Sequence, residues 1–311
     1  MAFTMHSHSG QFCPGHAKDQ LEDIIKHAIS IGYTSMGLTE HMPRTHLGDL
    51  YPEELDDPAA SLAALSPRHE AYLLEAKRLQ EAYAPQLHIL IGFEGEWLRP
   101  AYGQLIETLS AHPSVDYFIG SLHHVCGIPI DYDDAYYRRA LAAAGGTEER
   151  MFERYYDEQF EMLRALRPRI VGHFDLIRLM SSEPGRDVSL WRGVWERVVR
   201  NLQFVAGYGG WLECNSSALR KGLAEPYPCR VIAEEWLKYG GKFTLSDDSH
   251  GIAQVGTNYA VALDFLSSLG LSSVYALEKR SPHPGTPNDQ KSTLSIKEVS
   301  VASIKEVVSK W

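Results

Sequence analysis

Long apolar runs are missing from this sequence. Its hydrophobic stretches are short and broken by charges, so none reads as a membrane span of the ~20 residues required. Cysteine is scarce. Cys13, Cys126, Cys214 and Cys229 are far apart and show no CxxC spacing. That argues against a disulfide framework or a thiolate zinc site, and predicts reduced thiols, most of them buried. Positive charge is in deficit: 30 Lys and Arg stand against 40 Asp and Glu, a net charge of −10 with pI near 5.8. Phosphate backbones and anionic membranes require clustered cations, so neither nucleic acid nor a membrane surface is the expected partner. A small anionic substrate stays compatible, because bound divalent cations reverse a local field. Internal repeats and low-complexity tracts are also lacking. The N-terminus does not follow the basic, apolar, small-residue order of a secretory signal. The expectation is a soluble, cytoplasmic globular protein, organised as a single domain over residues 1–311.

What is present is a recurring unit of amphipathic helix, small turn and short apolar run. Leu21, Ile24, Ile25 and Ala28 fall on one helical face before Gly32, and TSMGLTEH follows as a strand. Leu73, Leu74 and Leu79 mark a helix before LHILIGFEGEW. A short helix around Leu105 and Leu109 leads to VDYFIGSLHH. Phe152 to Leu166 form a helical face before RIVGHFD. Val194 to Val205 lead through GYGG to WLECNSS, and Val231 to Leu237 lead to KFTLSDDSH. With AFTMHSH this makes seven strands. The closing TLSIKEVSVASIKEVVSKW reads as a strand and a terminal helix. Pro43 to Pro67, Cys126 to Thr147 and Ser281 to Thr293 read as loose surface excursions. Near-continuous apolar strands alternating with helices indicate a parallel α/β fold. Seven polar strand ends converging on one mouth favour a (β/α) barrel over an open sheet, whose ligands gather at a switch point.

Those strand ends carry His6, His8, His41, Glu94, His123, His173, Asn215, Asp248 and His250, and the first loop adds His16. One histidine alone is more often core or surface than ligand. In HxH, however, strand alternation points both rings to one side, where both reach one cation. Recurrence at strand ends with two carboxylates points to a metal centre. Imidazole with carboxylate suits Zn²⁺, Mn²⁺ or Fe²⁺ better than Ca²⁺. Eight or nine ligands exceed one tetrahedral ion, so two or three divalent ions sharing a carboxylate are expected. Such clusters lower the pKa of a shared water and neutralise charge on a transferring phosphoryl group. Arg178, Arg220 and Lys221 follow site-bearing strands, where a guanidinium holds phosphate oxygens bidentately. His27, His69, His88, His112 and His283 read as structural or surface residues. His46 and His124 are candidate contacts near the mouth.

The ordered set of HxH, TEH, GFE, GSxH, GHFD and SDxSH resembles the PHP (polymerase and histidinol phosphatase) superfamily over essentially the whole chain. GHFDLIR with ECNSSALRKG and TEH is most similar to its histidinol-phosphatase branch. The resemblance implies a distorted (β/α)₇ barrel and a trinuclear metal centre. By position, His6 and His8 match one ion's ligands, with Glu94 and Asp248. His123 and His173 match a second ion's, again with the bridging Glu94, and His16, His41 and His250 match the third's. The pattern selects Glu94 over Glu96, Asp248 over Asp247 and His123 over His124. It implies hydrolysis of a small-molecule phosphate monoester, L-histidinol phosphate, in histidine biosynthesis. Glu94, Asp248 and Arg178 would act in catalysis, with Arg178, Arg220, Lys221 and Asn215 contacting substrate. The leaving-group acid is open among Asp175, Glu40 and His46. The rivals are another PHP phosphoesterase such as a 3′–5′ exonuclease, and an inactive metal-binding regulatory barrel.

Overall fold

The computed structural model describes residues 1–279 and 294–311. The loose stretch Ser281 to Thr293, with His283, lies outside the described residues. The strands are β1 (Ala2–Thr4), β2 (Tyr33–Leu38), β3 (His88–Glu96), β4 (Tyr117–Ser121), β5 (His124–Val125) and β6 (Ile128–Pro129). They continue with β7 (Ile170–Val171), β8 (Trp211–Asn215), β9 (Lys242–Ser246), β10 (Ser273–Lys279) and β11 (Leu294–Ser300). Seven of them form one sheet in the order β1-β2-β3-β4-β7-β8-β9. These are the seven strands expected from the sequence. Pairing is parallel between β1 and β2, β2 and β3, β4 and β7, and β7 and β8. Every residue of β1 and of β8 is buried, as strands sandwiched between core and helices must be.

Two expectations change. The stretch Pro43 to Pro67 is only partly loose, because a helix spans Pro58–Tyr83 and runs through Pro67. Asp57 caps it by accepting from Ala60 N at 3.1 Å, Pro58 fits a first turn, and the alanine-rich run after it favours helix over loop. The Cys126 to Thr147 stretch likewise holds β6 and a helix over Asp134–Ala143, capped where Asp133 accepts from Tyr136 N at 2.8 Å. The helix expected at Leu73, Leu74 and Leu79 is that same Pro58–Tyr83 helix, with Leu73 and Leu79 buried and Leu74 exposed. The strand β10, paired antiparallel with β11, is an addition to the sequence reading.

The chain divides into two compact units. The first comprises Met1–Glu94, Thr108–Phe118 and Leu245–Trp311; the second comprises Gly95–Glu107 and Ile119–Thr244. In the first, Met5 N donates to Leu245 O at 3.1 Å. The Tyr72 hydroxyl contacts Leu38 O at 2.8 Å and Gly92 O at 2.7 Å. The Tyr117 hydroxyl donates to Met5 O at 2.5 Å, and a Cβ at position 37 would overlap that hydroxyl. Gly37 is therefore required by close approach, one residue before the end of the strand that leads to His41. In the second, Gln159 Nε2 donates to Phe174 O at 2.8 Å, and the N–H of Gly172 to Gly120 O at 3.0 Å. These bonds fix the GHFD turn against β4 and a helix over Glu148–Leu166.

Gly37→Ala should displace the Tyr117 hydroxyl and cost about 1–3 kcal/mol by overpacking. Denaturant titration reads this as a lower midpoint at unchanged slope, and Tyr117→Phe in the same background should recover part of the loss.

Candidate metal centre

In the first unit, HxH and the DDSH turn are stitched together by their backbones. Asp248 N donates to His6 O at 3.1 Å and His8 N to Ser249 O at 2.8 Å. Ser7 forms a parallel bridge with Ser249, so the segment stays extended beyond the end of β1 and both imidazoles project to one side. Glu94 and His41 are fixed in the same way. Glu94 N donates to Glu40 O at 3.0 Å and Met42 N to Glu94 O at 3.1 Å.

The side chains so placed meet at a spacing that is informative. His6 Nε2 lies 3.5 Å from Glu94 Oε2 and 3.7 Å from Asp248 Oδ1, and His8 Nε2 lies 3.6 Å and 3.4 Å from the same two oxygens. These separations are too long for good hydrogen bonds. Two ligand atoms each about 2.1 Å from one tetrahedral ion sit roughly 3.4 Å apart. The donor set therefore has the mutual spacing of ligands around a common cation. His41 Nδ1 is 3.0 Å from Glu94 Oε2, so this oxygen borders three imidazoles, as a bridging carboxylate would.

His8 stacks on His41 and on His250, each at 4.3 Å between ring centroids. Ligand atoms of His8, His41 and His250 lie within 4.8 Å of one another, as do those of His6, His8 and Asp248. Burial and the adjacent His41 push His8 down to about 3, and burial with the His8 ring holds His250 well below the usual imidazole range. These rings are neutral at physiological pH and keep a lone pair for a metal. His250 Nδ1 contacts Asp248 O at 2.9 Å. A carbonyl only accepts, so Nδ1 carries the proton and Nε2 keeps its lone pair.

The choice between Asp247 and Asp248 has a physical basis. Asp247 Oδ1 accepts from Thr4 Oγ1 at 3.2 Å and Ser249 N at 3.1 Å, while Oδ2 accepts from the Tyr33 hydroxyl at 2.8 Å and Gly256 N at 2.9 Å. That carboxylate is consumed in holding the turn, which leaves Asp248 to face the imidazoles. His16 lies beside this group, 5.2 Å from the His41 ring and 4.9 Å from His250. Its Nδ1 meets Glu53 Oε1 at 2.9 Å. Tyr51 and Glu53 belong to the excursion read as loose, which offers no periodicity to single them out.

In the second unit, His123 Nε2 and His173 Nε2 are 3.0 Å apart. At that distance one ring nitrogen donates to the other. His123 is thus the histidine whose ring meets His173, while the backbone of His124 pairs with Pro129. Glu213 Oε1 fixes His173 by accepting from its backbone N at 2.7 Å. The residues expected to contact substrate are placed less uniformly. Asn215 is fully buried, donating to Glu213 at 2.7 Å and accepting from Ser217 N at 2.9 Å. Arg178 is buried too. Its Nε donates to Asp175 Oδ2 at 2.8 Å, and its Nη2 to Glu225 O and Pro226 O at 2.9 and 2.7 Å. The same guanidinium borders a cavity of about 660 Å³ that Arg186, Leu223, Glu225 and Arg230 also line. Arg220 is half-buried and Lys221 exposed. Cys13 shapes the first loop through its carbonyl, which accepts from His16 N at 3.2 Å and Ala17 N at 2.9 Å.

Comparison with known proteins identifies the family and the fold. The PHP domain family matches residues 4–217. A Schizosaccharomyces pombe protein named "Probable histidinol-phosphatase" is 42% identical over 92% of both chains. The histidinol-phosphatase of Saccharomyces cerevisiae is 34% identical, over 82% of this chain and 84% of that one. The solved histidinol phosphate phosphatase of Lactococcus lactis, complexed with Zn, L-histidinol and phosphate, superposes with a TM-score of 0.64. It covers 88% of this chain and 95% of that one at 17% identity. The shared fold is the distorted (β/α)₇ barrel that the family resemblance implies.

One buried carboxyl gives the metal-free protein a pH signature. Burial raises Glu40 to about 7 from an ordinary 4.5, although Ser9 Oγ donates to it at 2.5 Å. Below pH 4.5 the folded and unfolded carboxyls are both protonated; between 4.5 and about 7 only the folded one keeps its proton. Rising pH therefore removes stability across that window. The stability difference between wild type and Glu40→Gln should change by about 3 kcal/mol over it, measured by denaturant titration of the two apo proteins. A flat difference would exclude the raised carboxyl.

Proposed function

This chain belongs to the PHP domain family, and from that premise we propose that it is a metal-dependent histidinol-phosphatase. It hydrolyses the phosphate monoester L-histidinol phosphate to L-histidinol and phosphate, as its 42% and 34% identical relatives are named for doing. The observation that carries the reading is the 3.4–3.7 Å lattice of imidazoles and carboxylates formed by His6, His8, Glu94 and Asp248.

These donors would hold divalent metal, and the family resemblance assigns them to three ions. His6, His8, Glu94 and Asp248 would hold one ion. His123 and His173 would contribute to a second, and His16, His41 and His250 to a third. When bound, such ions supply Lewis-acid charge to the phosphoryl oxygens and an activated water for in-line attack. The ring tautomers are set by the protein: Nδ1 of His250 donates to the Asp248 carbonyl, which leaves Nε2 as ligand. Arg220 and Lys221 would supply the protein's own positive charge to the phosphate, and Arg178 an oriented donor. Because Asp175 and two carbonyls restrain Arg178, its guanidinium is presented in one orientation. The proton for the leaving alkoxide would come from one of Asp175, Glu40 and His46.

Phosphate release by the metal-loaded protein should be fastest with histidinol phosphate, slower with an aryl phosphate, and absent with single-stranded DNA. Degradation of DNA with no turnover of histidinol phosphate would overturn the reading in favour of an exonuclease. His8→Ala should abolish turnover and lower metal content, as counted by mass spectrometry of the desalted protein. Arg178→Ala has two effects to separate. It should raise KM for phosphate esters, and it should destabilise by about 3–5 kcal/mol because the buried Asp175 carboxylate loses its partner. Arg178→Lys should restore most of the stability and little of the KM.

A further inference from the structure

His16 differs from the other ligands proposed for the first unit. His6, His8, His41, Glu94, Asp248 and His250 sit on segments tied by backbone hydrogen bonds, with side chains 0–16% exposed. His16 stands on the first loop with its side chain 35% exposed. A ring at such a rim rotates freely unless another group fixes it. Here the fixing group is Glu53, whose Oε1 lies 2.9 Å from His16 Nδ1. A carboxylate accepts, so Nδ1 carries the proton and Nε2 keeps the lone pair. The ring also stacks on Tyr51, at 5.5 Å and 20° between planes, and stands edge-on to His41 and His250.

Tyr51 and Glu53 are themselves held. Tyr51 N donates to Glu54 Oε2 at 2.7 Å. Arg44 Nη2 binds both Glu54 oxygens, at 2.6 and 2.7 Å, and the Arg44 guanidinium lies 3.8 Å from the Tyr51 ring centroid. Arg44 is buried. A buried ion pair thus anchors a short turn, Pro52–Glu54, whose carboxylate and preceding aromatic ring confront one imidazole.

We propose that Glu53 is a positioning residue for His16, with Tyr51 as its stacking support. The excursion that carries them then sets the affinity for the ion at His16, His41 and His250, independently of the ions elsewhere. This rests on the reading that His16 is a ligand. Removing the carboxylate behind a ligating histidine weakens metal binding by about 10–100-fold, and that loss falls on one ion only.

The test is titration of the metal-free protein with Zn²⁺ by calorimetry, with bound metal counted after desalting. His16→Ala should lose one ion per chain. Glu53→Leu, which keeps bulk but has no acceptor, should keep its thermal unfolding midpoint and its other ions. Its weakest-bound ion should be held about 10–100-fold less tightly. Glu53→Gln, whose carbonyl still accepts from Nδ1–H, should recover most of that affinity. If Glu53→Leu titrates like wild type while His16→Ala loses an ion, the positioning role falls and the ligand reading stands. If His16→Ala retains every ion, the ligand reading itself fails. A Glu53→Gln protein as weak as Glu53→Leu would overturn positioning in favour of a purely Coulombic effect.

Discussion

Close packing of dehydrated imidazoles against dehydrated carboxylates is the constraint on which the rest of this molecule depends. Four nitrogen–oxygen separations of 3.4–3.7 Å are too long for hydrogen bonds and too short for indifferent neighbours. Buried carboxylates repel each other, and neighbouring imidazoles cannot all protonate, as the depression of His8 to about 3 records. A divalent cation is the partner that turns both penalties into attraction. Such a site needs its ligands held against mutual repulsion before any ion binds. The backbone bonds between the HxH segment and the DDSH turn supply that rigidity.

Asp247 and Asp248 show how the rigidity is distributed. Asp248 has φ of 48°, a left-handed conformation that costs a non-glycine residue about 1–3 kcal/mol. It is tolerated because the preceding carboxylate accepts four hydrogen bonds from Thr4, Ser249, Tyr33 and Gly256. One aspartate spends its polarity on fixing the turn so that the next can present its oxygen to the imidazoles. The same division recurs in the second unit. There Glu213 fixes the His173 backbone, and Asn215 is held in turn by Glu213 and Ser217.

The sequence made the strands and most ligands readable for one reason: both are periodic. Alternation put His6 and His8 on one side, and helix-turn-strand recurrence located seven strand ends. Residues that act through tertiary hydrogen bonds left no such trace. Asp247 and Asp248 are chemically alike in a sequence; only the four donors around one of them tell them apart. Tyr51 and Glu53 sit in a stretch rich in proline and acid that reads as solvated surface, because their partner is 35 or more residues away. The first turns of helix Pro58–Tyr83 were hidden by the prolines at its start and interior. Asn215 ends a strand like a ligand, yet its amide is committed inside the protein.

These placements bear on how a protein of net charge −10 attracts a phosphate ester. Arg178 is charge-compensated by Asp175 at 2.8 Å, so its guanidinium contributes geometry more than net field. Arg220 and Lys221, more accessible, add charge that salt screens over about 10 Å. The attraction for a dianion must then come chiefly from divalent ions in the histidine–carboxylate centre. Phosphate affinity and metal occupancy are on this account linked quantities. A residue such as Glu53, which touches neither phosphate nor reacting atoms, can influence substrate binding through the ion it helps to hold.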